Sequence, residues 1–371
     1  MKTRAAVLRT APSEWEIAEL DLDEPKDGEV LVRMMASGLC HSDDHVSKGD
    51  APVRLPLVGG HEGAGVVERV GPGVSRLRPG DHVVTIYVPV CGRCRWCSTG
   101  RQGLCVEVVR CGVGCLRDET FRFHDGDADL GGMCVLGTFS QYAVIDQDSC
   151  LKIDSDIPFE VASLVGCGVV TGWSSSVHLA HVRPGDTVVV FGVGGVGSAA
   201  VQGARYAGAR NVVAVDPVPF KREMAKVFGA THTSAPGEEA QELVASLTGG
   251  DLAEHAILTV GVLDAEVTSQ AVAIVGKAGQ VSVTAVGRMG DLTMRGLSAG
   301  MLVGPGKRIE GAVMGRANPL HDVPRLFDLY RAGDLKLDEL ITRRYRLDEV
   351  NDGYRDLLDG KNIRGVLVHE H

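Results

Sequence analysis

At 371 residues the chain exceeds what one compact core usually holds, so two domains are expected. Hydrophobic residues at 44% and charged residues at 23% are ordinary globular values and exclude wholesale disorder. Lys and Arg number 38 against 48 Asp and Glu; the resulting charge of −10 disfavours nucleic acid and anionic lipid as partners.

No run of eighteen apolar residues occurs, so no membrane span is expected. The opening residues lack the apolar stretch of a signal peptide, which predicts a soluble, cytoplasmic protein. Residues 1–90 carry short β-like runs, such as 30–33 and 83–88, broken by turn signals such as Pro79-Gly80-Asp81. They predict an antiparallel, barrel-like domain. Residues 91–136 read as loop and hold most of the cysteines, and 137–144 returns to strand-like alternation. From about residue 165 the pattern changes. Apolar runs at 187–191, 211–215, 255–260 and 280–286 alternate with helical stretches at 198–207, 220–228 and 265–275. That order predicts an α/β fold with a parallel, doubly wound sheet. From about 314 the chain reads as helical, ending in a strand near 365–369. The predicted division is a β-rich domain of 1–165 completed by 314–371, with a dinucleotide-binding domain of 166–313 between.

Gly192-Val193-Gly194-Gly195-Val196-Gly197 is a G-x-G-x-x-G between a predicted strand and a predicted helix. Its glycines allow a tight turn and let the backbone approach a pyrophosphate at the helix N-terminus. Asp216 follows twenty-four residues after Gly192, where a carboxylate can accept from an adenosine ribose and repel a 2′-phosphate. NAD is therefore expected over NADP; the alternative is a structural turn with a helix-capping Asp. Lys221 is placed to reach the ribose or simply to be solvated. Cys91, Cys94, Cys97 and Cys105 offer four thiolates in one loop, a set suited to a structural zinc, with an iron–sulfur cluster as the alternative. Cys40, His61 and Cys167 could supply a Cys2His catalytic zinc, although a buried Cys and a core His are the commoner fates of such residues.

Gly60-His61-Glu62-x2-Gly65-x5-Gly71-x2-Val74 resembles the signature of zinc-containing alcohol dehydrogenases of the medium-chain dehydrogenase/reductase superfamily. The cysteine loop, Cys40-His41-Ser42-Asp43-Asp44-His45, the Gly166-Cys167-Gly168 segment and the glycine fingerprint follow in that family's order. The resemblance implies a GroES-like catalytic domain beside a Rossmann domain. It also implies two zinc ions per chain: one on Cys40, His61 and Cys167, the other on Cys91, Cys94, Cys97 and Cys105. Asp43 would orient His61, a carboxylate partner that fixes the tautomer and raises ligand basicity, and Glu62 would lie behind the metal. Ser42 would begin a proton relay through the nicotinamide ribose to His45 at the surface. His41 and Arg364 would hold the pyrophosphate, Thr171 and Val196 would flank the nicotinamide, and Tyr87 and Phe139 would line the substrate pocket, with a core role the near-equal alternative for either aromatic. The implied reaction is hydride transfer between a primary alcohol or aldehyde and NAD.

Gly92-Arg93-Cys94-Arg95-Trp96-Cys97, Phe121-Arg122-Phe123-His124 and residues 335–343 are most similar to the actinobacterial nicotinoprotein branch, assayed with N,N-dimethyl-4-nitrosoaniline. That branch implies a retained NAD, an external electron carrier and a homodimer or homotetramer. Phe121, residues 106–115 and Gly304-Pro305-Gly306 depart from the pattern. A thiol-dependent formaldehyde dehydrogenase and a biosynthetic carbonyl reductase of the same fold are the alternatives. A non-enzymatic scaffold or thiol sensor would be expected to lack a zinc ligand, Ser42 or a fingerprint glycine, and none is missing.

Overall fold

The computed structural model describes residues 1–286 and 298–371. The β-rich part contains a closed barrel of the strands Lys2–Leu8, Glu16–Leu22, Phe123–Asp125, Ala128–Gly132 and Leu57–Val58. Beside it runs a seven-stranded sheet in the order Cys150–Ile153, His82–Thr85, Gly63–Val70, Glu29–Gly38, Arg364–Val368, Ile341–Tyr345, with Tyr142–Asp146 also pairing Glu29–Gly38. The C-terminal strand returns as expected: Arg364–Val368 lies antiparallel to Glu29–Gly38, with Val366 opposite Gly38.

The α/β part is a six-stranded parallel sheet ordered His232–Ser234, Asn211–Val215, Thr187–Phe191, Ala253–Leu258, Val275–Val283, Arg308–Gly311. Its central strands, TVVVF and NVVAV, are buried throughout, as β-branched runs covered by helices on both faces must be. A helical stretch from Phe159 to Leu179, interrupted by two π-turns, connects the two parts. A single apolar cluster passes from Ala36 and Val84 through Val165 and Trp173 to Val188 and Ile257. Both sheets therefore share one interior. Among the described residues no helix is long and apolar enough to cross a membrane.

Several expected boundaries move. The strand expected over 137–144 runs from Tyr142 to Asp146, because Cys134, Val135 and Gly137 all have positive φ and break extension before it. The strand expected at 280–286 is Val275–Val283, preceded by the helix Ala265–Ile274. The cysteine-rich stretch is not all loop: Phe123–Asp125 and Ala128–Gly132 form a hairpin that helps close the barrel. Ile341–Tyr345 is a strand in a region read as helical, and Arg308–Gly311 adds a strand to the parallel sheet that no apolar run marks.

Candidate active site

Three separate elements bring Cys40, His61 and Cys167 together. Cys40 precedes the short helix His41–Ser47 with an extended backbone, φ −124° and ψ 150°. His61 follows Gly60, whose φ of +88° suits glycine; a Cβ there would lie 2.5 Å from both Phe139 and Thr138. Cys167 sits on the first π-turn, a local widening that recurs at functional sites. One ligand atom each from Cys40, His61, Glu62 and Cys167 lie within 4.8 Å of one another, with Cys167 Sγ 3.3 Å from His61 Nε2. His61 Nδ1 is 3.2 Å from Asp43 Oδ1, which also accepts from Gly60 N at 3.1 Å. That carboxylate fixes the ring so that Nε2 faces the two sulfurs. The neighbouring Cys167 thiol, then His61, holds Cys40 well below the usual thiol range. A borderline-soft divalent ion fits this set of two thiolates and an imidazole.

Glu62 stands behind the trio. Its carboxylate pairs with the buried Arg364 guanidinium and accepts from Gly168 N at 3.1 Å. Burial pushes its pKa up to about 7, against the opposing pull of Arg364. Arg364 continues toward the glycine turn: a Cβ on Gly195 would fall 2.0 Å from Arg364 Cδ. One side chain thus bridges the ligand cluster and the nucleotide fingerprint.

The fingerprint closes the strand Thr187–Phe191 and opens the helix Gly195–Tyr206. Gly192 has φ +82°, and its carbonyl accepts from Thr259 Oγ1 at 2.7 Å. A Cβ at Gly194 would meet nothing, so its Cα faces an open crevice of about 490 Å³. His41, Asp216 and Lys221 line that crevice together with Gly192, Gly194, Gly195, Val196 and Arg364. Two buried polar atoms, Arg364 Nε and Thr171 Oγ1, have no hydrogen-bond partner among the described residues. A helix N-terminus, a side-chain-free approach and unused buried polar atoms fit a dinucleotide. Gly197 has a different reason: a Cβ there would lie 1.9 Å from Gly192 O. Gly197→Ala is expected to push the turn open, costing about 1–3 kcal/mol of stability and weakening dinucleotide binding at least tenfold. Thermal unfolding and titration with the dinucleotide measure both.

Asp216 is buried, and its carboxylate accepts from Val193 N and Val218 N, each at 2.9 Å. It therefore ties the fingerprint to the next helix while lining the crevice, so the capping and ligand-facing readings are compatible.

A second cavity, about 1090 Å³ among the described residues, opens on Cys40, His61 and Cys167. Its wall includes Tyr87, whose ring meets the His61 ring edge-on at 5.8 Å, together with Thr171, Val196 and Cys134. Cys40, Ser42, Val196 and Thr284 line both cavities, so the two meet beside the ligand trio. Ser42 Oγ is 3.7 Å from Cys40 Sγ at this junction.

Two expectations need correction. His45 is not at the surface: it is 3% exposed, with Nε2 2.9 Å from Gly261 O and Nδ1 3.1 Å from Asp50 Oδ2. The short helix tucks it under the segment after strand Ala253–Leu258. Phe139 does not line the substrate cavity. It is fully buried and packs edge-on against Trp15 at 5.8 Å, filling the space behind Gly59 and Gly60. Cavity residues that sequence reasoning missed include Arg101, Leu104, Cys134, Thr284 and Met314. No local motif marks them.

Cys91, Cys94, Cys97 and Cys105 bring their sulfurs within 4.8 Å of one another and line neither cavity. Cys94 Sγ accepts from Cys97 N at 3.5 Å, and backbone N–H groups, that of Cys97 foremost, bring its pKa down to about 6. Four sulfurs with backbone donors fit a closed tetrahedral ion and leave no position for a substrate.

Known proteins agree with this geometry. The family model described as "Alcohol dehydrogenase GroES-like domain" matches residues 26–155, and "Zinc-binding dehydrogenase" matches 195–332. The NDMA-dependent alcohol dehydrogenase of Amycolatopsis methanolica is 53% identical over 369 residues, covering 100% of this chain and 99% of that protein. Alcohol dehydrogenase B of Mycobacterium tuberculosis is 45% identical over 373 residues, covering 99% and 98%. Among solved structures, benzyl alcohol dehydrogenase from Acinetobacter calcoaceticus superposes with a TM-score of 0.92 at 30% identity, covering 100% of both chains. An alcohol dehydrogenase zinc-binding domain protein from Burkholderia ambifaria gives 0.93 at 33%, with the same coverage. With two complete thiolate-rich ligand sets and a Rossmann crevice meeting one of them, the chain belongs to the zinc-containing alcohol dehydrogenases of the medium-chain dehydrogenase/reductase superfamily.

Proposed function

We propose that the enzyme oxidises a primary alcohol to an aldehyde, or the reverse, with NAD as hydride partner and two zinc ions per chain. The observation that carries this reading is the junction at Cys40, Ser42, Val196 and Thr284, where the substrate cavity and the dinucleotide crevice share a wall. When bound, zinc supplies a Lewis acid toward the alcohol oxygen and NAD supplies the hydride acceptor.

Cys40, His61 and Cys167 hold the metal, and Asp43 holds His61. Ser42 Oγ takes the proton leaving the substrate hydroxyl. Ser42 passes its own hydroxyl proton on toward His45 as it accepts this one, and because His45 Nε2 faces the Gly261 carbonyl, the ring must release that contact to take part. His41 and Arg364 hold the pyrophosphate, and Thr171 and Val196 position the nicotinamide. Glu62 balances Arg364 behind the metal, and Tyr87 shapes the substrate cavity beside His61. Cys91, Cys94, Cys97 and Cys105 hold the structural zinc. Residues 1–165 with 314–371 act as the catalytic domain and 166–313 as the nucleotide domain, a division supported by the return of Arg364–Val368 to the first sheet. Cysteines grouped as metal-ligand sets support a cytoplasmic location. Arg308–Gly311, an edge strand among the described residues, and the exposed Val303 support assembly as a homodimer or homotetramer.

Asp216 selects NAD by accepting from the ribose with lone pairs that Val193 N and Val218 N leave free. Asp216→Ala is expected to narrow the NAD-over-NADP preference about tenfold or more, about 1.4 kcal/mol, and to lower stability through the two orphaned N–H groups. Equal wild-type affinities for the two dinucleotides would remove the carboxylate from this role.

The NAD is retained through turnover and reoxidised in place by an external carrier, a reading supported by the Amycolatopsis relative. Extensive desalting followed by denaturation should release close to one dinucleotide per chain, with nitrosoaniline-driven alcohol turnover needing no added NAD. Desalted protein that is empty and requires NAD for every turnover overturns retention while leaving the dehydrogenase reading intact.

A further inference from the structure

Four of the ten cysteines lie outside both ligand sets: Cys111, Cys115, Cys134 and Cys150. Cys115 and Cys150 are buried, whereas Cys111 and Cys134 are half-buried. The 3₁₀ segment Val106–Gly112 packs against the turn Met133–Val135, which places Cys111 and Cys134 on two segments in direct contact. Cys134 lies in the wall of the substrate cavity. Its backbone is left-handed, φ 52° and ψ 35°, a conformation disfavoured for any residue with a Cβ and one that recurs at functional sites. Cys111 Sγ donates to the carbonyl of Tyr87 at 3.4 Å, and the Tyr87 ring rests on His61. The pair is thus one residue removed from the metal ligands without belonging to them.

We propose that Cys111 and Cys134 form a redox-active dithiol, Cys134 in the wall of the substrate cavity and Cys111 behind it, closed to a disulfide by small-molecule disulfides and reopened by thiols. In the first step the Cys111 thiolate attacks one sulfur of the small disulfide; a mixed disulfide forms and one thiolate leaves. The Cys134 sulfur then loses its proton and attacks the Cys111 sulfur, releasing the second small thiol. The protein loses two electrons and two protons, and the small disulfide becomes two thiols. The order follows from the environment: the interaction with Cys134 lowers the Cys111 thiol, whereas Cys111 and burial hold Cys134 well above the usual range. Closure removes the S–H donor to Tyr87 O and pins the Val106–Gly112 segment to the cavity wall. Substrate entry should suffer while the metal stays in place.

The test treats the full, metal-loaded enzyme with graded ratios of oxidised to reduced glutathione, followed by acid quenching, alkylation and peptide mapping. The expected result is a linked peptide pair containing Cys111 and Cys134, unchanged zinc content, and a severalfold fall in turnover that dithiothreitol reverses. Cys111→Ser keeps a hydroxyl donor to Tyr87 O and should retain turnover while losing the sensitivity; Cys115→Ser should behave as wild type. Separate alkylation of Cys111 and Cys134 under oxidation overturns the proposal. So does linkage with no change in turnover, or oxidation confined to the zinc cysteines with loss of metal. The peptide map needs no substrate, so failure of the dithiol is distinguishable from failure of the alcohol reading, and wild-type mapping alone decides if Cys111→Ser does not fold.

Discussion

His61→Ala is expected to lower alcohol turnover by about a thousandfold or more, the equivalent of about 4 kcal/mol of transition-state stabilisation. The imidazole is the nitrogen ligand in a cluster otherwise made of two sulfurs and the Glu62 carboxylate, and Asp43 is committed to orienting it. Without the ring, the fully buried Asp43 loses its imidazole partner and retains the Gly60 N–H. A stability loss of about 1–3 kcal/mol should accompany the loss of activity. Elemental analysis should find one zinc equivalent fewer than in wild type, with the four-cysteine site still filled. Dinucleotide release should stay near the wild-type yield, because the crevice is built from the fingerprint and Arg364 rather than from His61. Unchanged metal content with unchanged turnover would remove His61 from the site.

Features encoded in short stretches of chain were readable from sequence. The fingerprint is six consecutive residues between a strand and a helix, and the four-cysteine loop spans fifteen residues. Each needs only local geometry to work. The Cys40, His61 and Cys167 trio spans more than a hundred residues, and spacing alone ranks an ordinary buried Cys or a core His above it. Family resemblance raised it, and the folded chain brings the three together. His45 and Phe139 were misplaced for a physical reason: whether a side chain next to a site faces solvent, cavity or core depends on segments far away in sequence. For His45 that segment is Gly261, and for Phe139 it is Trp15. The cavity residues Cys134, Thr284 and Met314 carry no signal of their own because their role exists only where three segments converge.

Cys94→Ala is expected to give the largest loss of stability. A structural zinc bound by four thiolates contributes about 10–16 kcal/mol of apparent binding free energy, comparable to the roughly 5–15 kcal/mol that holds a typical domain folded. Removing one ligand forfeits a large part of it. Cys97 and Cys105 belong to the main apolar cluster, and Gln102 ties the lobe to the C-terminal region through Asn318 Oδ1 at 3.3 Å and Leu320 N at 3.1 Å. Loosening the lobe therefore disturbs more than its own loop. A fall in Tm of about 10 °C or more is expected, at about 2–4 °C per kcal/mol for a domain of this size. The lobe also carries Arg101, Gly103 and Leu104 into the wall of the substrate cavity. Residual folded enzyme should accordingly show a raised KM for the alcohol with a smaller change in kcat, since Cys40, His61 and Cys167 are held by other elements. That split separates a structural metal from a catalytic one. If Cys94→Ala kept the wild-type Tm and two zinc equivalents, the four cysteines would not be a metal site; if it abolished kcat in a protein of unchanged Tm, the two sites would have been assigned the wrong way round.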